Sequence, residues 1–184
     1  MLKGNKINLR MLRRKELPEF LALFNDLSTR GPFYPLMLSN EPLLEQRFEK
    51  DGYWSEEWML LVIADKDSDR ILGEVLAFKP CPYYNAYELA YWLFDMDSRG
   101  KGFVPEAVML LSGYLFKAKP VFRLQLQIEA GNAASLRVAA KCGYKFEGTT
   151  RAAFIRDGRP VDIGMHSLPR ENWDARHETS VGSH

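Results

Sequence analysis

The feature that most constrains this chain is a strand-to-helix junction marked by two glycines. Ala86 to Phe94 reads as a strand and Val104 to Lys117 as a helix, with Asp97-Ser98-Arg99-Gly100-Lys101-Gly102-Phe103 between them. Glycine takes positive φ without steric cost, so successive backbone N–H groups can converge on one point. The helix behind adds unpaired N–H donors and the positive end of its dipole. Together these make an anion site suited to phosphate. Two common phosphate loops do not fit. A Walker loop needs Ser or Thr after Gly-Lys, where Gly102 stands, and a dinucleotide fingerprint needs a small residue where Pro105 stands. On the two glycines alone, a plain turn and helix cap remains the competing reading.

The rest of the chain alternates in the same way. Ile7 to Leu12 alternates apolar and polar residues, as a half-buried strand does. Glu16 to Asn25 carries apolar residues at helical spacing, and Glu41 to Lys50 reads as a second short helix. Met59 to Asp65 and Arg70 to Lys79 read as strands joined across Lys66-Asp67-Ser68-Asp69. Val121 to Glu129 reads as a strand and Ala133 to Lys141 as a helix. Tyr144 to Ile155, Asp157-Gly158 and Pro160 to Leu168 form a hairpin signal. Many strands with helical central connections predict an α/β domain with a mixed, mostly antiparallel sheet.

Length and charge narrow the function classes. A chain of 184 residues is the size of one domain, here expected over 1–173, with 174–184 read as a polar, aperiodic and flexible tail. Lys and Arg number 25 against 24 Asp and Glu, which disfavours nucleic acid or an anionic membrane as main partner. The longest mostly apolar stretch, Ala107 to Phe116, falls short of the ~20 residues of a spanning helix. With no apolar signal core after Met1, the expected location is the cytoplasm. Cys81 and Cys142 lack zinc-ligand spacing, and His166, His177 and His184 sit late and apart, so no metal is expected.

A second constellation adds specificity. Asn132-Ala133-Ala134-Ser135 follows one strand and leads to Lys141-Cys142-Gly143-Tyr144-Lys145-Phe146-Glu147-Gly148. With Arg99, Gly102 and the strand run Glu88-Leu89-Ala90-Tyr91-Trp92, the chain resembles the Gcn5-related N-acetyltransferases (GNAT). Within them it is most similar to the branch of the ribosomal-protein N-terminal acetyltransferases RimJ and RimL. The likeness runs from Ile7 to Leu168. It implies the GNAT fold: a twisted sheet of about seven strands with about four helices, and a splayed parallel pair holding acetyl-CoA.

The resemblance implies a role for each part. Arg99, Gly100, Lys101, Gly102, Phe103 and Val104 would cradle the pyrophosphate. An N–H near Leu93 or Phe94 would polarise the thioester carbonyl, Asn132 would bond the pantetheine amide, and Lys141 would approach the nucleotide phosphates or remain a solvated lysine. Glu88 would relay the amine proton, directly or through water, against a reading as a surface strand residue. Ser135 would contact the departing thiolate, or simply serve the helix N-terminus. Departures stand at Val104, where the family has Gly or Ala, at Pro105, often a hydroxyl, at Ala139, often the tyrosine acid, and at Phe154, a RimL-like glutamate.

The acceptor implied is a small-molecule amine or a peptide N-terminus, served by a monomer or homodimer. A non-catalytic acyl-CoA-binding regulator is the rival reading. Aromatic residues at Phe33-Tyr34, Tyr53-Trp54, Trp58 and Tyr83-Tyr84 suit either a stacking platform or core packing, with packing the commoner outcome.

Overall fold

The computed structural model describes residues 1–34 and 36–181, the side chains of 177–181 excepted. Eight strands and five α-helices run in the order β1 (Leu2–Lys3), β2 (Ile7–Arg10), α1 (Leu17–Asn25), α2 (Glu41–Asp51), β3 (Trp58–Asp65), β4 (Ile71–Phe78), β5 (Ala86–Leu93), α3 (Phe103–Ala118), β6 (Arg123–Glu129), α4 (Ala133–Cys142), β7 (Lys145–Arg156), β8 (Arg159–Pro169) and α5 (Arg170–Val181). The strands follow the sheet order β1-β2-β3-β4-β5-β6-β8-β7, with β5 and β6 parallel. The chain divides into two compact units, Met1–Phe78 with Ala90–Leu111, and Lys79–Leu89 with Ser112–His184.

In the first unit, β2, β3 and β4 form an antiparallel ladder whose one face carries Leu60, Val62 and Ala64. These pack with Leu17 and Phe20 of α1, Leu44 of α2, and Trp92 and Phe94. Helix α2 starts and stops on local signals. Asn40 accepts from Leu43 N–H at 2.9 Å to cap α2, and Gly52 ends it at φ 62°. Strand β2 stops at Arg10, two residues before the expected Leu12. Arg10 is 4% exposed, and its guanidinium grips Glu16 through two bonds of 2.8 and 2.9 Å. A buried fork of this kind fixes the turn into α1.

In the second unit, β6 pairs with β8 and β8 with β7, the last hairpin closing at Asp157 (φ 51°) and Gly158 (φ 72°) as the Asp-Gly signal implied. The parallel ladder runs from Ala86↔Arg123 to Glu88↔Gln125. From Asp174, where the sequence reads as a tail, the chain continues as helix α5 to Val181; 182–184 lie outside the described residues. Two residues anchor α5. Arg170 donates to the carbonyls of Phe116, Lys119 and Val121 at 2.7–2.8 Å, and so satisfies orphan groups in the last turn of α3 and just beyond it. Trp173 packs on Phe116 and lies 3.1 Å from where a Cβ on Gly113 would sit, which explains a glycine inside α3. No helix among the described residues is long and apolar enough to cross a membrane.

Candidate active site

The glycine loop has the conformation its sequence implied. Gly100 and Gly102 sit at φ 76° and 86°, and nothing lies within 4 Å of a Cβ built on Gly100. Helix α3 starts at Phe103, and its first internal bond is Glu106 N–H to Gly102 O, 3.3 Å. That leaves the earlier N–H groups of the turn for a ligand, except at Pro105, which has none. Open space at Gly100 and a long helix behind the loop fit a pyrophosphate group. Arg99 is turned the other way. Its guanidinium donates to Thr29 O at 2.7 Å and so ties residues 29–31 to the loop. Lys6 was not anticipated. Its ammonium donates to Lys101 O at 2.9 Å, although 95 residues separate them in sequence.

The end of β5 is set by a glycine on its neighbour. A Cβ on Gly73 would fall 2.1 Å from Trp92 O, so only glycine allows β4 this approach. Phe94 N–H donates to Leu72 O at 2.9 Å. This corrects one expectation, because a committed N–H cannot also polarise a thioester. Successive residues of a strand direct their N–H groups to opposite edges, so Leu93, 7% exposed, presents its own away from β4.

Glu74 is the second residue that sequence reasoning missed. It is 3% exposed on β4 and shares a cluster with Tyr34, Arg30 and Trp92. Tyr34 donates to its Oε1 at 3.4 Å and stacks on Trp92 at 4.3 Å, while the Arg30 guanidinium lies 4.4 Å over the Trp92 ring. Burial pushes the Glu74 carboxyl up to about 7, against the opposing pull of Tyr34 and Arg30. The signal available was a lone acid inside the apolar run Ile71-Leu72-Gly73-Glu74-Val75-Leu76. A carboxyl whose folded value exceeds its unfolded one binds its proton more tightly when folded. Its contribution is therefore most favourable at low pH and declines as pH rises from the ordinary carboxylate range to about 7. Glu74→Gln is expected to be more stable than the parent at pH 8, by up to about 3 kcal/mol, and to converge with it near pH 4 in urea titrations. Equal stabilities at pH 8 would show that Glu74 folds ionised without penalty.

In the second unit, Glu88 lies on β5 opposite Gln125 of β6 and is 9% exposed. The amides of Gln125 and Gln127 both donate to its Oε2, each at 2.9 Å. Burial raises its carboxyl above the usual range, and the two amide bonds partly oppose the shift. Two donors on one oxygen leave Oε1 as the oxygen able to take a proton. At the head of α4, Asn132 Oδ1 accepts from Ser135 N–H at 3.1 Å, so this oxygen caps the helix. The half-buried Ser135 lies in the first turn. Lys141 is exposed in the last turn, about 12 Å of helical rise from Ala133. Ala139 is buried and its side chain carries no acid, and the Tyr144 hydroxyl is within 2.9 Å of Ser112 Oγ.

The aromatic residues divide. Tyr34 and Tyr53 are packed in the first unit, and Trp58 stacks on Phe78 at 5.4 Å. Tyr83 and Tyr84 are exposed. Among the described residues no group of His, Cys, Asp and Glu is arranged to hold a metal.

A mixed sheet carrying a glycine loop ahead of a long helix is the framework of an anion-binding enzyme site. The chain belongs to the GNAT acetyltransferases: the family's domain matches over residues 6–145. A probable N-acetyltransferase of Bacillus subtilis (strain 168), YjcK, is 28% identical over 164 residues, 82% of this chain and 87% of that one. YoaA, an uncharacterized N-acetyltransferase of the same organism, is 25% identical over 93% of this chain and 98% of its own length. Among solved structures, spermidine N-acetyltransferase from Vibrio cholerae in complex with CoA and spermine superposes with TM-score 0.74 at 18% identity, covering 92% and 99% of the two chains. Ribosomal-protein-S5-alanine acetyltransferase from Vibrio fischeri gives 0.76 at 21% identity, covering 93% and 97%. The protein is thus an N-acetyltransferase, of a family that uses acetyl-CoA.

Proposed function

We propose that this enzyme acetylates a primary amine, on a small molecule or a protein N-terminus, within a ternary complex, and that it is RimJ/RimL-like. The observation that carries the reading is Glu88, a buried carboxylate with one oxygen held by two amides and its affinity for a proton raised. Acetyl-CoA supplies the acetyl group as a thioester, which the amine attacks directly as the C–N bond forms and the C–S bond breaks. An amine must first lose a proton, since an α-amine has a pKa of about 8 and a lysine about 10. Glu88 Oε1 takes that proton, directly or through one water.

Arg99, Gly100, Lys101, Gly102, Phe103 and Val104 hold the pyrophosphate, with Arg99 leaving Thr29 O to do so. Leu93 N–H faces the thioester carbonyl, where negative charge develops. Asn132 can offer its amide N–H₂ to pantetheine while Oδ1 caps α4. Lys141, at the far end of that helix, is left to solvent or to the outer phosphates.

Incubation with acetyl-CoA and a mixed library of primary amines tests the reading; a mass gain of one acetyl group on an amine supports it. CoA release only by hydrolysis, with no amine modified, overturns it. Ser135 has a smaller part. A thiol with a pKa near 8.5 leaves without full protonation, so Ser135→Ala is expected to cost about 5- to 30-fold in kcat through one lost hydrogen bond. Full kcat with unchanged cofactor affinity would make Ser135 a residue of the helix end and nothing more.

A further inference from the structure

We propose that Lys6 is a phosphate-binding residue of the acyl-CoA site, supplying from the N-terminal segment the donor that Pro105 removes from the loop. The proposal rests on the reading of Arg99–Val104 as the pyrophosphate loop. Its observations are separate from that reading. The Lys6 ammonium bonds Lys101 O at 2.9 Å and lies 3.3 Å from the position of a Cβ on Gly102. It stands beside the left-handed glycines, where the phosphates would lie.

The segment is built to hold it there. Glu106, in the first turn of α3, accepts the backbone N–H groups of Asn5 and Lys6, the latter at 3.0 Å. The contact fastens residues 5 and 6 to the helix that follows the loop, and it engages a carboxylate that would otherwise oppose an anion at this end of the helix. Gly4 is required for the fit, since a Cβ there would fall 2.5 Å from Ile7 O and 2.8 Å from Glu106 Oε1. Lys66 secures the same turn from the other side, its ammonium bonding Asn5 O at 3.1 Å.

Lys6 is a cation already held at the loop by its bond to Lys101 O. Arg99 is engaged with Thr29 O. Pro105 at the third position of α3 has no N–H, and Glu106 N–H is bound to Gly102 O. An ammonium has three protons, so Lys6 can keep Lys101 O and still give a charge-assisted bond to a phosphate oxygen.

The test is the acetyl-CoA dissociation constant by calorimetry. Lys6→Met is expected to bind about tenfold more weakly, with a shallower salt dependence, and Lys6→Arg within about threefold of the parent. Inorganic pyrophosphate should compete less well in Lys6→Met by a similar factor. The loss should persist with dephospho-CoA, which keeps the pyrophosphate and lacks the 3′-phosphate. Lys6 is exposed, so an unchanged melting temperature is expected in both variants. Parental affinity in Lys6→Met, while Gly102→Asp abolishes binding, would overturn the role of Lys6 and leave the loop standing. A loss confined to CoA carrying the 3′-phosphate would overturn it too. Unchanged binding in Gly102→Asp would remove the loop reading itself, and this proposal with it.

Discussion

Replacing Gly102 with aspartate is expected to abolish acetyl-CoA binding, by at least about 10³-fold, while the fold persists. Gly102 sits at φ 86°, a region that aspartate enters more readily than most residues. Its Cβ would meet only the Lys6 ammonium, at 3.3 Å, which is the end of a flexible side chain. The added carboxylate, however, faces the place where two phosphates would lie, and it pairs with Lys6. It therefore introduces repulsion and removes a cation together. Gly102→Ala carries the strain without the charge and is expected to lose far less. Calorimetry gives the affinity and circular dichroism the fold. Parental affinity in a folded Gly102→Asp protein would end the assignment of this loop to pyrophosphate.

Glu88→Gln is expected to lower kcat/KM by about 10²- to 10⁴-fold near neutral pH, the usual loss when a general base is removed. The glutamine keeps the shape of the side chain, but it turns a carboxylate that accepts from Gln125 and Gln127 into an amide too weakly basic to take a proton. In the parent, activity is expected to rise with pH as Glu88 loses its proton. Because burial raises the carboxyl, that acidic limb lies above the ordinary carboxylate range. In the variant the limb tied to Glu88 disappears. The deficit narrows toward high pH, where the amine deprotonates unaided. A parental pH–rate profile in Glu88→Gln would take Glu88 out of the reaction.

The elements were legible wherever local chemistry decides the backbone. The helix read over Val104 to Lys117 runs Phe103–Ala118, the strand read over Ala86 to Phe94 ends at Leu93, and Asp157-Gly158 makes the hairpin turn. Periodicity shows which residues share a face, and glycine position shows where φ must be positive, without reference to any distant contact. The likeness to GNAT was legible for the same reason, because its glycine loop and its Asn-x-x-Ser stretch are contiguous in sequence. Helix α5 was not. Its residues carry little amphipathic pattern, and it is docked by Arg170 and Trp173 on carbonyls and rings about fifty residues earlier.

What the sequence alone determined here is therefore the order and type of most elements and the family. Tertiary structure decided the state of each group within them. It committed Phe94 N–H to Leu72 and Arg99 to Thr29, clamped Glu88 between two glutamines, buried Glu74 beside Tyr34, and brought Lys6 to the glycine loop. Hydrogen-bond partners and desolvation depend on residues that meet only after folding. A proton affinity or a phosphate contact set by them has no local signature to read.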